Sequence, residues 1–145
     1  MSWSTGIIPR EQIEAFWPLA YPLLEPAVAR AGGRISEATV YAGLMQGTHL
    51  LWATTDGPDI AAVATTRVAQ YPLKKMLVVE CLGGAKLDEW VSEMNDTLTR
   101  FAKASGLSGI EMFGRSGWAR ALQPYGWKPS MVVCEMNFDE EPFDV

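Results

Sequence analysis

Histidine occurs once in the chain, at His49, and cysteine twice, at Cys81 and Cys134. A single histidine excludes every His-rich metal site and leaves little room for a Ser-His-Asp arrangement, so no metal is expected. The two cysteines are far apart, belong to no Cys-x-x-Cys pair and lie in apolar, strand-like runs, so both read as reduced, buried thiols. Basic residues are scarce as well. The formal net charge is -5 and no run of Lys or Arg is long enough to neutralise successive phosphates, which excludes nucleic acid as an expected partner. No apolar stretch approaches the roughly 20 residues that cross a bilayer, and the first six residues lack a basic segment followed by an apolar one. No membrane partner is expected, and the expected location is cytoplasmic.

What the chain has in quantity is apolar side chains. Hydrophobic residues make up 48% of 145 and six Trp are spread along the whole length, enough for one core without disulfides or metals. A single domain over residues 1–138 is expected, followed by an acidic, flexible tail over 139–145.

The periodicities give an order of elements. Ile13, Phe16, Trp17, Ala20, Leu24, Ala27 and Val28 recur at helical spacing, but Pro18, Pro22 and Pro26 interrupt them, so the sequence predicts a broken helix: one piece over 10–17, a second ending at Gly32-Gly33. Ser36 is placed to cap the next helix and Gly47 to end it. A strand from His49 to Thr54, the turn Asp56-Gly57-Pro58-Asp59, a strand over 60–69 and a buried strand over 75–82 form an antiparallel meander. Leu87, Trp90, Val91, Met94, Leu98, Phe101 and Ala102 then mark the clearest amphipathic helix. A strand over 109–113, a short helix over 118–122 and a last strand over 131–138, alternating in part, complete the chain. The long helix is a right-handed crossover, which requires the strands on either side of it to run parallel. The fold class is therefore α/β with a mixed sheet: N-terminal helices, a three-strand meander, a long crossover helix, a strand, a short helix and a strand.

This order resembles the GNAT acetyltransferase fold over nearly the whole chain, including the short helix before the last strand and the closing Gly126-Trp127. The segments Gln46-Gly47-Thr48-His49-Leu50-Leu51-Trp52, Cys81-Leu82-Gly83-Gly84 and Ile110-Glu111-Met112-Phe113-Gly114-Arg115-Ser116-Gly117-Trp118 look like those of small GNAT-like proteins encoded in tailed-phage genomes, near virion structural genes. The resemblance implies that the fourth strand splays from the next one and that Val79, Cys81, Leu82, Gly83, Gly84 and Lys86 would lie along acetyl-CoA. Two glycines before a helix suit an anion nest, and equally a plain strand-to-helix turn. The family's Gln/Arg-x-x-Gly-x-Gly/Ala spacing is absent, and Asp88 and Glu89 place two negative charges in the first turn.

Counting back from Gly126-Trp127 puts Arg115 where such enzymes usually carry Asn and Leu122 where they carry a proton-donating Tyr. Leu122 cannot donate a proton, which leaves Tyr125 as the candidate acid. Glu80 is the candidate base, with Glu111 behind it, provided burial raises its pKa; the alternative is a carboxylate paired with Lys74, Lys75 or Arg67. Arg115 and Trp118, held between Gly114 and Gly117, are the candidate partner-binding residues, or else part of a tight turn. The expected function is that of a catalytically degenerate, phage-derived GNAT-like module, without cofactor, acting by contact with virion proteins or with itself in the host cytoplasm or the virion. The alternative is an acetyl-CoA-dependent N-acetyltransferase.

Overall fold

A computed structural model describes residues 2–138; the expected acidic tail over 139–145 lies outside the described residues. In chain order the elements are β1 (Ser4–Ile7), α1 (Arg10–Arg30), α2 (Glu37–Gln46), β2 (His49–Asp56), β3 (Asp59–Gln70), β4 (Lys75–Gly84), α3 (Leu87–Ala104), β5 (Gly109–Met112) and α4 (Ser116–Leu122), with a 3-10 turn at Gln123–Tyr125. The five strands form one sheet in sequence order, antiparallel from β1 to β4 and parallel between β4 and β5, as the crossover demands.

Helices cover both faces, so the central strands are apolar at successive positions instead of alternating. Trp52, Ala64, Leu77 and Val79 face α3 and α4, together with Trp90, Met94, Leu98 and Leu122. Leu51, Ala53, Val63 and Cys81 face α1 and α2, with Ile13, Leu24, Val28, Val40 and Leu44. The crossover helix buries Trp90 and Met94 as its periodicity predicts, and Phe101 is half-buried edge-on against Trp52. α2 starts at the expected Ser36, whose hydroxyl accepts from Thr39 N in a capping box, and stops at Gly47 with φ 85.

Four expectations need correction. The helix predicted to break runs unbroken from Arg10 to Arg30 with all three prolines inside it. Pro18, Pro22 and Pro26 are spaced by four, so they stack on one exposed stripe while Ile13, Ala20, Leu24 and Val28 face the sheet. The hydrogen bonds lost belong to solvent-facing carbonyls, which water satisfies. Next, β1 precedes α1, although Ser4-Thr5-Gly6-Ile7 carries almost no strand signal; its pairing with β2 and the bond from Thr5 N to Glu93 Oε1 (3.2 Å) hold it. The last strand is missing too: residues 131–138 form no strand, are exposed and lie outside the sheet. As a result Cys134 is exposed, against the expectation of two buried thiols, while Cys81 is buried.

Candidate active site at the end of strand β4

Two register irregularities build the site. Between β2 and β3 a shift at Thr54/Thr55 brings His49 opposite Arg67. Between β3 and β4 the pairing passes from Thr66↔Val79 to Thr65↔Cys81, so Glu80 is an extra residue in a β-bulge. The bulge turns Glu80 toward α1 and α2, where its carboxylate accepts hydrogen bonds from His49 Nε2 (3.2 Å) and Arg67 Nε (2.6 Å). The side chains of Glu80 and His49 are only 13% and 16% exposed, so the group is protected but reachable. Gly43 of α2 makes room for the imidazole: a methyl there would lie 2.2 Å from His49 Nδ1, which instead sits 3.0 Å from Thr48 Oγ1.

The electrostatics reverse one expectation. The His49 hydrogen bond holds the Glu80 carboxyl below the ordinary carboxylate range; burial opposes this and the Arg67 guanidinium adds to it. Glu80 is thus an ionised carboxylate, with Arg67 as the expected partner and His49 as an unexpected one. Next to it, burial pushes the Cys81 thiol up to about 11, against a lowering by Thr65. Cys81 packs and does not attack.

The second feature is the edge of β4. Its pairing with β5 ends at Val79↔Met112, while β4 itself continues to Gly84. Glu80, Cys81, Leu82, Gly83 and Gly84 therefore have no pairing partner on the β5 side among the described residues. Gly83 and Gly84 are demanded by the protein's own backbone. A methyl on Gly83 would lie 1.7 Å from the Leu23 carbonyl oxygen of α1, and one on Gly84 2.2 Å from that of Ala61. Ala85 N donates to Ala61 O at 2.9 Å, so the loop is a turn and not an open amide nest. Lys86 follows in the left-handed region (φ 61) as N-cap of α3, whose first turn has no side-chain cap among the described residues. Of the two acidic residues there, Glu89 accepts from the indole of Trp3 at 3.3 Å.

A cavity of about 420 Å³ opens between the starts of α3 and α4, lined by Leu87, Arg115, Ser116, Gly117, Trp118 and Ala121. Arg115 is exposed at the N-cap of α4, and Trp118 is half-buried on the α3 core. Leu122 is buried in that core, and Tyr125 packs against it. Glu111 lies apart from Glu80 and accepts from Tyr71 OH. Sequence reasoning weighed His49 for metal binding or a triad and missed it as the partner of Glu80. The turn at Gly57-Pro58 alone would pair it with Thr66, and the bulge moves it by one residue.

No family model and no curated protein matches this chain. The fold, however, is the GNAT acetyltransferase fold. A predicted acetyltransferase from Clostridium acetobutylicum solved with acetyl-CoA aligns with TM-score 0.65 and 12% identity over 94% of this chain and 96% of that one. Glucosamine-6-phosphate N-acetyltransferase from Arabidopsis thaliana aligns with TM-score 0.64 and 9% identity over 96% and 100%. An aminoglycoside acetyltransferase from an uncultured soil metagenomic sample gives 0.68 and 13% over 96% and 100%. That a structure of this fold was solved with acetyl-CoA corrects the cofactor-free reading of the sequence.

Proposed function

We propose that the protein is an N-acyltransferase using acetyl-CoA, with Glu80 at its centre. The observation that carries this reading is the early end of the β4–β5 pairing at Val79, beside the bulge that presents Glu80. The residues present fit the cofactor in kind. The edge of β4 from Glu80 to Gly84 is free of β5 and offers backbone groups to an amide-bearing arm, and Lys86 and Arg115 offer cations near two helix starts. When bound, acetyl-CoA supplies an activated acetyl group.

The chain's own residues supply the rest. Glu80, ionised through the neutral range, attracts a cationic amine and orients its N–H; with its pKa lowered and not raised, it positions the acceptor and the proton the amine loses passes to water. Arg67 and His49 fix the two carboxylate oxygens, so that the acceptor meets one geometry. Leu122, where a proton-donating Tyr was sought, is a core residue, which leaves Tyr125 or water to protonate the departing thiolate.

That same Leu122 favours a second reading, in which the fold of a phage-encoded ancestor is kept for protein contact in virion assembly and Arg115 and Trp118 form the contact. Titration calorimetry with acetyl-CoA, followed by an amine-acetylation assay over a panel of polyamines and aminosugars, separates the two. Binding with Glu80-dependent transfer supports the enzyme. Binding without transfer to any amine supports the contact module, and no binding removes the enzymatic reading.

A further inference from the structure

A cavity of about 590 Å³ opens between the first half of α1 and the start of α2, and none of its lining residues belongs to the group around Glu80 or to the β4 edge. Trp17 and Tyr41 form its aromatic wall, Pro18 lies beside them, and the exposed Glu14 and Glu37 bring carboxylates to it. The indole is fixed in place. Its N–H donates to Glu37 Oε2 at 2.9 Å, Tyr41 meets it edge-on with ring centroids 5.2 Å apart, and Tyr21 lies tilted against it at 5.4 Å.

The charges in this cavity are all negative, and among the described residues nothing answers them. Glu14 and Glu37 form no ion pair there, and two basic side chains of the helix pair are committed elsewhere: Arg10 to the Met45 carbonyl, Arg34 to the Ala31 carbonyl and to Glu135. Pro18 has no N–H, so the Glu14 carbonyl four residues earlier has lost its helical partner, and both residues line the cavity. The dipole of α2, which favours an anion, is already met by Glu37 in its first turn, and the Ser36 hydroxyl is spent on the cap. Burial first, then the charges of Glu37 and Glu25, raise the neighbouring Tyr21 hydroxyl above its ordinary value, as a negative field requires.

We propose that this cavity binds the guanidinium group of a small molecule, laid against the Trp17 indole and held by Glu14 and Glu37. A planar cation with its N–H donors in a fixed fork stacks on an indole and pairs with carboxylates at its edge, and it is weakly hydrated, so leaving water costs it little. A further N–H takes the carbonyl that Pro18 leaves free. An ammonium matches the carboxylates but not the flat wall. The inference is independent of acyl transfer, since it uses no residue of the group around Glu80.

Titration of the full chain with butylguanidinium at low salt, followed by NMR of the indole N–H groups, should shift and saturate the Trp17 signal while the other five indoles stay in place. Glu37→Gln keeps an acceptor for the indole and removes the charge, and should weaken binding by about fivefold, the upper range for an exposed ion pair. Glu14→Gln, exposed on α1, should act in the same direction. Butylurea, flat but neutral, should leave the signal unmoved, and butylammonium should bind more weakly than butylguanidinium. No shift with butylguanidinium, an equal shift with butylurea, butylammonium binding as tightly, or unchanged affinity in both glutamine variants overturns the proposal. Loss of binding in Glu80→Gln would place the cation at β4 and overturn it as well. An arginine-containing peptide that binds much more tightly than butylguanidinium would assign the cavity to a partner's side chain, against the small molecule proposed.

Discussion

Glu80 and Arg67 meet across the β3–β4 pair with 2.6 Å between carboxylate and guanidinium, Glu80 being the extra residue of the bulge between Val79 and Cys81. His49 closes the arrangement from β2. Glu80→Gln keeps the shape and removes the charge. It should lower kcat/KM for amine acetylation by about 10–150-fold, the roughly 1.5–3 kcal/mol of a hydrogen bond to a charged group. Acetyl-CoA affinity, read by calorimetry, should stay within about threefold, a difference of roughly 0.7 kcal/mol.

The same carboxylate makes stability depend on acid. Its folded pKa lies below the ordinary 4.5, so ionised Glu80 stabilises the fold above pH 4.5, and that contribution is lost as pH falls through the folded value. Denaturant unfolding of the wild type and of Glu80→Gln should therefore differ by a constant amount above pH 4.5 and converge below it. A gap that widens on acidification would contradict the ion-pair reading.

How much of this was legible beforehand depends on range. The apolar stripe of α3 and the Asp56-Gly57-Pro58-Asp59 turn are local signals, and they sufficed for the crossover, the meander and the parallel β4–β5 pair. Glu80 and its partner Arg67 were also within reach, since Arg67 was one of three basic residues near enough in the meander to pair with a strand glutamate. The role of His49 was not, because a one-residue bulge leaves no mark in composition. α1 was misread for a related reason: proline costs a helix little where the lost bonds face water, and facing is decided by the sheet beneath. Residues 131–138 read as a strand from their alternation, which reports an apolar face but not the chain that covers it.

Cys81 and Cys134 should be told apart by alkylation. At neutral pH the native protein should react with one equivalent of iodoacetamide, at the exposed Cys134, because the buried Cys81 thiol is pushed up to about 11. Mass spectrometry of the labelled peptides checks it; two rapid equivalents in the folded state would contradict the burial of Cys81.

Gly83→Ala should destabilise the protein by at least the 1–3 kcal/mol typical of overpacking, because its methyl would enter the Leu23 carbonyl of α1. Gly6→Ala, which meets nothing within 4 Å, is the matched control and should change stability by less than about 0.5 kcal/mol. Equal denaturation midpoints for the two would sink the close-approach argument.

Arg115→Ala and Lys86→Ala should each weaken acetyl-CoA binding by about tenfold, or roughly 1.4 kcal/mol. Both side chains are exposed, so melting should be unchanged. If the affinity for acetyl-CoA is unchanged in both, the cofactor lies elsewhere on the fold.

The proline stripe of α1 has a consequence for motion. A helix with a proline at every fourth position over three turns has little propensity of its own, so α1 persists because Leu24 and Val28 are seated on the sheet and Gly83 lets the backbone sink onto β4. Its amides should then exchange with solvent in one cooperative opening, not by fraying from the ends, with the midsection as short-lived as the tips. That opening lifts the cover from β4 next to Glu80. The same helix that walls the site would thus set how often an acceptor too large for the closed form gains entry.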